Sequence, residues 1–543
     1  MKVTLLAINA KYVHSSLPVW CIADGLKQHL RTPATVKVIE ATINQPVDLI
    51  LAKVADTQPN IIGISAYIWN ADILREVLGG IKRTLPDTLV VLGGPEASHA
   101  PDFYLSQGAD YVVCGAGERA LPLLVDAIAT GAKLCQVAGL CYFADGKVRK
   151  NPIAPAKHHF DNGEYSAALH GRIAYIESSR GCPFSCSFCL SGGSEVSFFP
   201  MDEVKKQIFT LANSGAKTIK FVDRTFNCHR ERATEILSYV ISMDTDCTFH
   251  FEVAPHLFDQ PTLDLLAAAP IGRIQLEAGL QSFNPNTLAA VSRKTDFAAT
   301  EKNIAAILAA GNIHLHLDLI AGLPYETLDS FVAGFNRAFA MRAHNLQLGL
   351  LKLLRGSPLH AQEGQFGMVF SPAPPYQVVS TPWMSEEDFA TLHRVEHGLS
   401  RTWNKGRFIT TIEYVLSVAR LSPFELFYQI GEEIEGYKSP LPRYTAQLCD
   451  ILSTLPMVDK NTLVDRMAWD YLAMTGGKGM PSCLKNTRKS KSHVQNVSAF
   501  LGRQSDYDSV AVLSTGEVIY AVGQKNPVSG LFEVAYLNYC SAK

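Results

Sequence analysis

Residues 177 to 190 read Glu177-Ser-Ser-Arg-Gly-Cys-Pro-Phe-Ser-Cys-Ser-Phe-Cys-Leu190, and this stretch decides how the rest of the chain is understood. Cys182, Cys186 and Cys189 set three thiols within eight residues, on a loop opened by Gly181 and Pro183. A loop of that kind can wrap a compact inorganic core. A cubane [4Fe–4S] cluster normally takes four thiolates. Three would leave one iron open to a ligand that is not protein, which is how a cluster acts on a bound molecule. A structural zinc site wants four closed ligands, usually in paired C-x2-C spacing. No second pair follows here, although Cys228 or a histidine would complete a set. On the loop alone, cluster, zinc and chance spacing all stay open.

The C-x3-C-x2-C spacing resembles the signature of the radical S-adenosylmethionine (SAM) superfamily, and later motifs extend the likeness. In that family SAM chelates the fourth iron, an electron from the reduced cluster breaks its sulfonium C–S bond, and a 5′-deoxyadenosyl radical is released. Lys217-Thr-Ile-Lys-Phe-Val-Asp-Arg-Thr-Phe-Asn227 stands where the family's second strand carries its SAM-amino motif, with Asp223-Arg224-Thr225 in place of Gly-Gly-Glu. Phe249–Pro255, Gln275–Asn284, Val291–Thr295 and His316–Tyr325 follow in order. They are similar to the SAM-binding strands of the branch that includes oxygen-independent coproporphyrinogen oxidase and the anaerobic ring cyclases. The resemblance implies SAM contacts at Phe188, whose backbone would lie against the adenine, and at Asp223, Glu252, Gln281, Arg293 and Asp318. The residue types suit the task. A guanidinium matches a carboxylate, while carboxylates and an amide oxygen accept from ribose hydroxyls and an ammonium.

The 543 residues suggest about three domains. Hydrophobic residues are 47% of the chain, enough to fill cores. The 49 basic and 51 acidic residues nearly cancel, which argues against a general nucleic-acid or membrane-surface protein. No apolar run reaches the roughly 18 residues of a membrane helix. Met1–Lys11 reads as a first strand, its apolar core being too short for a signal peptide. The 12 cysteines are read as reduced thiols plus a cluster, so a cytoplasmic, oxygen-sensitive protein is expected.

Ahead of the cysteine loop, short apolar runs at Val3–Ile8, Val36–Ile39, Ile61–Ser65, Leu89–Leu92 and Tyr111–Cys114 have the pattern of buried strands. Amphipathic stretches such as Ala71–Lys82 separate them. The expectation is an α/β fold opening with a doubly wound, flavodoxin-like parallel sheet, its ligand beyond the carboxyl ends of the strands. This region resembles the cobalamin-binding module that precedes many radical SAM cores. Ser65, Gly93, Gly94 and the turn Gly115, Gly117 and Glu118 carry the likeness, and by it they hold cobalamin. The module's usual axial histidine is absent, because Lys11 occupies its position; His14 is nearby. Tyr12, Tyr67 and Trp69 stand at strand ends, where aromatics either flank a corrin ring or belong to the core.

The expected layout is a cobalamin-binding-like domain at 1–134, a linker at 135–170 with a hairpin turn at Asp145-Gly146, a partial (β/α) barrel core at 171–363, and a mostly helical C-terminal domain at 364–543. Within the linker, Asn151 to Pro155 is expected to be extended. Leu346–Leu354 is expected as the last core strand. Trp383, Trp403, Arg401 and Arg407 either face substrate or are core and surface residues, and the cluster from Arg488 to Lys491 reads as a solvated loop.

The function expected is that of a radical SAM enzyme with a [4Fe–4S] cluster, SAM and cobalamin, which methylates, cyclises or oxidises a small or macromolecular substrate at an unreactive carbon. A flavodoxin or ferredoxin would supply electrons, and no nucleic-acid or membrane partner is expected. Two alternatives differ in kind. A methylthiotransferase needs three further cluster cysteines in its N-terminal domain, where 1–134 offers Cys21 and Cys114. A corrinoid- or SAM-sensing binding protein would bind without turnover.

Overall fold

The computed structural model describes residues 1–154, 160–434, 439–485, 489–502, 505 and 507–537. Pro155 of the linker and Arg488 of the basic cluster lie outside the described residues. The chain divides into two compact units, Met1–Glu252 with Lys352–Val378, and Val253–Leu351 with Val379–Lys543.

The first unit opens with parallel strands β1 (Lys2–Asn9), β2 (Thr35–Thr42), β3 (Ile61–Ser65), β4 (Leu89–Gly93) and β5 (Tyr111–Val113). Their order β2-β1-β3-β4-β5 is the flavodoxin-like one. Because successive strand residues face opposite sides, β1 feeds two cores. Leu6 and Ile8 pack with Leu74, Val77, Leu78 and Ile81 of helix Ala71–Thr84. Val3, Leu5 and Ala7 pack on the other face with Val19 and Leu26 of helix Leu17–His29 and with Leu121 and Leu124 of helix Gly117–Thr130. Full burial of each such valine, leucine or isoleucine contributes roughly 1.5–3 kcal/mol.

The expected linker hairpin belongs to this sheet. Strand β6 (Leu140–Ala144) pairs antiparallel with β5, and β7 (Lys147–Lys150) pairs with β6. The turn Asp145-Gly146 has φ of 52° and 72°, the left-handed pair that a two-residue hairpin requires.

Three more parallel strands follow, β8 (Ala174–Ile176), β11 (Thr218–Phe221) and β12 (Thr248–Glu252), and β11 pairs with both of the others. Between them β9 (Ser179–Cys182) and β10 (Ser194–Phe198) form an antiparallel hairpin around the cysteine loop. The segment Lys352–Val378 also folds onto this unit: Leu359 N–H donates to Ser187 O at 2.8 Å, and Tyr376 hydroxyl donates to buried Glu96 at 2.6 Å.

The second unit holds parallel strands β13 (Ile274–Gln281), β14 (His314–Ala321) and β15 (Asn345–Leu350), the last of which stops short of the Leu354 expected from sequence. Of the helices that follow, Lys491–Leu501 packs through Val497 on the late sheet at 510–536, while Pro423–Glu433 sets Phe424 and Phe427 against Phe335 and Phe339. Trp403 is part of that core, its Nε1 donating to Ala343 O at 2.8 Å, and Arg401 lies over Tyr444. Trp383 packs against Tyr325. A three-stranded antiparallel sheet of Val510–Val512, Val518–Val522 and Glu533–Tyr536, absent from the sequence reading, follows the helices. Among the described residues no helix is long and apolar enough to cross a membrane.

Candidate cofactor-binding site

The β9–β10 hairpin gives the three cysteines a fixed frame. Cys182 pairs with Ser194 across the ladder, and its N–H donates to Ser194 Oγ at 3.0 Å. Gly181 has φ 104°, and a Cβ there would stand 2.1 Å from Glu195 O, so the entry to the loop admits only glycine. Inside the loop Gly193 N–H donates to Phe184 O at 2.7 Å and Cys189 N–H to Cys186 O at 3.1 Å. Cys182 and Cys186 are buried and Cys189 is half-buried. Ser191 N–H points at Cys189 Sγ from 3.4 Å, a donor suited to a thiolate.

Asp223 stands behind this hairpin. Its carboxylate is 2% exposed and accepts from Ser178 N–H at 2.9 Å and from the hydroxyls of Ser178 and Ser179 at 2.6 Å each. Burial pushes its carboxyl above the usual range, against those three donors. Both oxygens are thus engaged by the strand that leads into the loop. Thr225, two residues on, sets its hydroxyl 3.6 Å from Cys182 Sγ. Glu252 ends β12 with Oε1 3.9 Å from Lys220 Nζ.

The flavodoxin-like sheet meets this region through two arginines, Arg172 buried and Arg180 half-buried. Arg172 pairs with Glu40 at 2.5 Å, both side chains nearly enclosed, and donates to the carbonyls of Tyr12 and His14. Glu40 also accepts from Asn9 Nδ2, Ser16 N–H and Trp20 Nε1. The loop at 9–14 is therefore fastened. His14 Nδ1 lies 2.6 Å from Tyr175 hydroxyl, and burial holds its imidazole below the ordinary value. The second arginine, Arg180, has Nη1 2.5 Å from Glu118 Oε1 and Nε 2.8 Å from Glu177 Oε2. Glu118 is buried, and that pairing engages its carboxylate.

At the strand ends Ser65 and Gly93 are register partners. A Cβ on Gly93 would meet nothing nearer than Val113 O at 3.7 Å, whereas one on Gly94, at φ 95°, would stand 2.5 Å from Ala66 O. Gly115 has φ 89°. Tyr67 and Trp69 stack with centroids 4.2 Å apart, and Tyr12 is exposed with Arg172 5.6 Å from its ring.

In the second unit one face of the ladder is polar. The alternation places Gln275, Glu277 and Gln281 of β13 on the half-buried face together with His314, His316 and Asp318 of β14. Register sets Glu277 against His316 and Gly279 against Asp318. His316 Nε2 is 3.0 Å from Asp318 Oδ1, and one ligating atom from each of Glu277, His316 and Asp318 falls within 4.8 Å of the others. Gln281 has φ 68° and folds over Gly279, where a Cβ would stand 2.0 Å from its Nε2. The Arg293 guanidinium donates to Gly279 O. Gln281 Oε1 is buried and has no hydrogen-bond partner among the described residues.

The structure thus carries the cysteines, Phe188 and Asp223 on and behind one hairpin, and Gln281, Arg293 and Asp318 on and beside one ladder. Sequence reasoning missed Glu40, Arg172, Glu177, Arg180, Thr225, Glu277 and His316. Glu277 and His316 were legible as members of the period-2 series they share with Gln281 and Asp318; the ion pairs of Arg172 and Arg180 were not, since their partners lie 132 and 62 positions apart.

Comparison with known proteins identifies three stretches: the B12 binding domain at residues 3–125, the radical SAM superfamily at 176–337, and a protein family of unknown function, DUF4080, at 364–521. The chain joins a B12-binding domain to a radical SAM domain. An uncharacterized methyltransferase of Pyrococcus horikoshii is 25% identical over 330 residues, 57% of this chain and 70% of that protein. The cobalamin-dependent radical SAM methyltransferase TokK of Streptomyces tokunonensis is 25% identical over 390 residues, 65% of this chain and 56% of its own length. The radical SAM methyltransferase TsrM of Kitasatospora setae, solved with tryptophan and a SAM analogue, shares the fold at TM-score 0.58 and 19% identity, covering 86% of this chain and 90% of that one.

The residues fit the groups these domains take. Three thiols without a fourth on the loop leave one iron corner open. The partnerless Gln281 Oε1 suits a donor from SAM. At Gly93, the register partner of Ser65, a Cβ would be in ordinary contact with Val113 O at 3.7 Å, and its absence leaves the backbone there open to close approach by a ligand.

Proposed function

We propose that the protein is a cobalamin-dependent radical SAM methyltransferase. The observation that carries this reading is the three-thiol hairpin built into the same compact unit as the B12-binding sheet, with Arg180 reaching from one to the other. When bound, the cluster, SAM and cobalamin supply the electron, the radical and the methyl carrier. The chain's own residues hold and shield these groups. Cys182, Cys186 and Cys189 bind iron, and Asp223 stiffens their hairpin through Ser178 and Ser179. Glu252, Gln281, Arg293 and Asp318 offer SAM acceptors and one guanidinium, with the Phe188 backbone against the adenine. Ser65, Gly93, Gly94, Gly115 and Gly117 present backbone and one hydroxyl to the corrinoid tail.

The boundaries 1–134, 135–170, 171–363 and 364–543 serve as the working division, with the first domain completed by β6 and β7 from the 135–170 segment, and a cytoplasmic protein with a flavodoxin- or ferredoxin-type reductant is the setting we propose. Two relatives named as methyltransferases support methyl transfer over cyclisation. The methylthiotransferase reading gains nothing from the cysteines of the first sheet. Cys21 is buried in helix Leu17–His29, and Cys114 lies 3.7 Å from buried Cys141.

The test is anaerobic reconstitution with iron, sulfide and cobalamin, then SAM and a strong reductant, with nucleoside products identified. 5′-Deoxyadenosine together with S-adenosylhomocysteine is the expected result. Intact SAM in a protein that carries all three groups would overturn the reading in favour of a sensor.

A further inference from the structure

Arg180 has two carboxylate partners that come from separate parts of the first unit. Glu177 lies on the link between β8 and β9, and Arg180 Nε donates to its two oxygens at 2.9 and 2.8 Å. Glu118 belongs to the first turn of helix Gly117–Thr130, immediately after the glycine turn at 115–117. The ring of Phe199 lies 5.6 Å from the guanidinium carbon and covers part of it.

Neither end of this bridge has slack. A Cβ on Gly25 would stand 2.3 Å from Glu118 O, so helix Leu17–His29 already presses on the Glu118 backbone. On the other side Gly181 is locked against Glu195, and the next residue is Cys182. The fixed backbone at both ends gives a displacement at the glycine turn a short route to Cys182, through Arg180 two residues before it.

A purely structural fastening would not need this second arginine. Glu40 and Arg172 already join the first sheet to the residues before β8. An ion pair whose arginine is more than a third exposed also contributes little net stability. What sets Arg180 apart is position: its partner Glu118 adjoins the turn that takes the corrinoid, and its own strand ends in a cluster thiol.

We propose that Arg180 is a positioning residue that couples the turn Gly115–Glu118 to the first cluster thiolate, so that corrinoid occupancy alters the iron environment and the cluster alters corrinoid affinity. This rests on the reading above that both groups bind at these residues. Reciprocity between two linked sites is a thermodynamic requirement, so either direction of the effect can be measured.

The experiment uses full-length wild type and Glu118→Gln, reconstituted anaerobically with 57Fe and sulfide. Mössbauer spectra are recorded with and without hydroxocobalamin, and hydroxocobalamin Kd is measured with the cluster present and in the cluster-free Cys186→Ala form. Wild type should show a changed cluster spectrum on adding hydroxocobalamin, and a Kd that differs about fivefold or more between cluster-loaded and cluster-free protein. In Glu118→Gln the cluster should still assemble, with the spectral change lost and the two Kd values within about twofold of each other, a ratio far below the wild-type coupling. Arg180→Lys keeps the charge but loses the two-pronged fork and should behave alike. A full wild-type response in both variants, or no response in wild type carrying both groups, overturns the coupling. Failure of wild type to take up either group overturns the underlying reading, and the coupling with it.

Discussion

Asp223 and Asp318 were assigned the same task from sequence, yet the structure gives them opposite surroundings. Asp223 is buried and saturated, with three donors from Ser178 and Ser179 on its two oxygens. Asp318 stands on a half-buried strand face beside His316 and Glu277, and Gln281 Oε1 on that same ladder waits for a donor. One carboxylate completes the protein's own architecture; the other faces an incomplete set of partners. Saturation marks a supporting residue, and an unmet acceptor marks a surface prepared for something else.

The contrast can be broken at four points. Replacing Cys186 with Ala removes a ligand from the loop that Asp223 supports, and should abolish cluster assembly, read as iron and sulfide content after reconstitution. Asp223→Ala leaves a buried N–H and two hydroxyls without their acceptor. It should cost about 1–3 kcal/mol in denaturant unfolding and lower cluster occupancy. If Asp223 instead served as a SAM contact alone, stability would be untouched.

A third point lies in the pH dependence of stability. Burial pushes the Glu177 carboxyl up to about 7 from 4.5, despite the pull of Arg180, with Asp223 and Glu118 adding to the rise. The folded chain therefore holds this proton over a range where the unfolded chain has released it. Stability should fall as pH rises from about 4.5 to about 7 and then level off. Comparing urea midpoints of wild type and Glu177→Gln across that range isolates the slope, which the variant should lack.

The gentlest perturbation sharpens the comparison most. Asp318→Asn should change unfolding free energy by no more than about 0.5 kcal/mol. It should nonetheless weaken SAM binding about tenfold, or ~1.4 kcal/mol, measured by equilibrium dialysis. A large loss of stability there would place Asp318 with Asp223 among the supports.

Much of the fold was open to reading because its signals are local. The five parallel strands of the first sheet are contiguous apolar runs, and the hairpin turn Asp145-Gly146 is a two-residue code. The cysteine loop is likewise contiguous. What escaped was set by distance along the chain or by weak local pattern. The Arg172–Glu40 and Arg180–Glu118 pairs are invisible until folding brings their strands together. The late sheet at 510–536 is built of strands of three to five residues, too short for periodicity to register among helices. Glu118 was placed at the corrinoid because its turn matched a motif, whereas its side chain points to Arg180.

The hairpin β6–β7 has a practical consequence. Strand β5 would be the open margin of the first sheet if the chain were cut at 134, with unpaired backbone groups beside an apolar surface. Such margins recruit strands from other molecules. In the whole chain the strand at that edge is Lys147-Val-Arg-Lys150, whose lysines and arginine repel a second copy. A fragment intended to carry the corrinoid domain alone should therefore extend through Lys150; one ending at 134 is expected to aggregate.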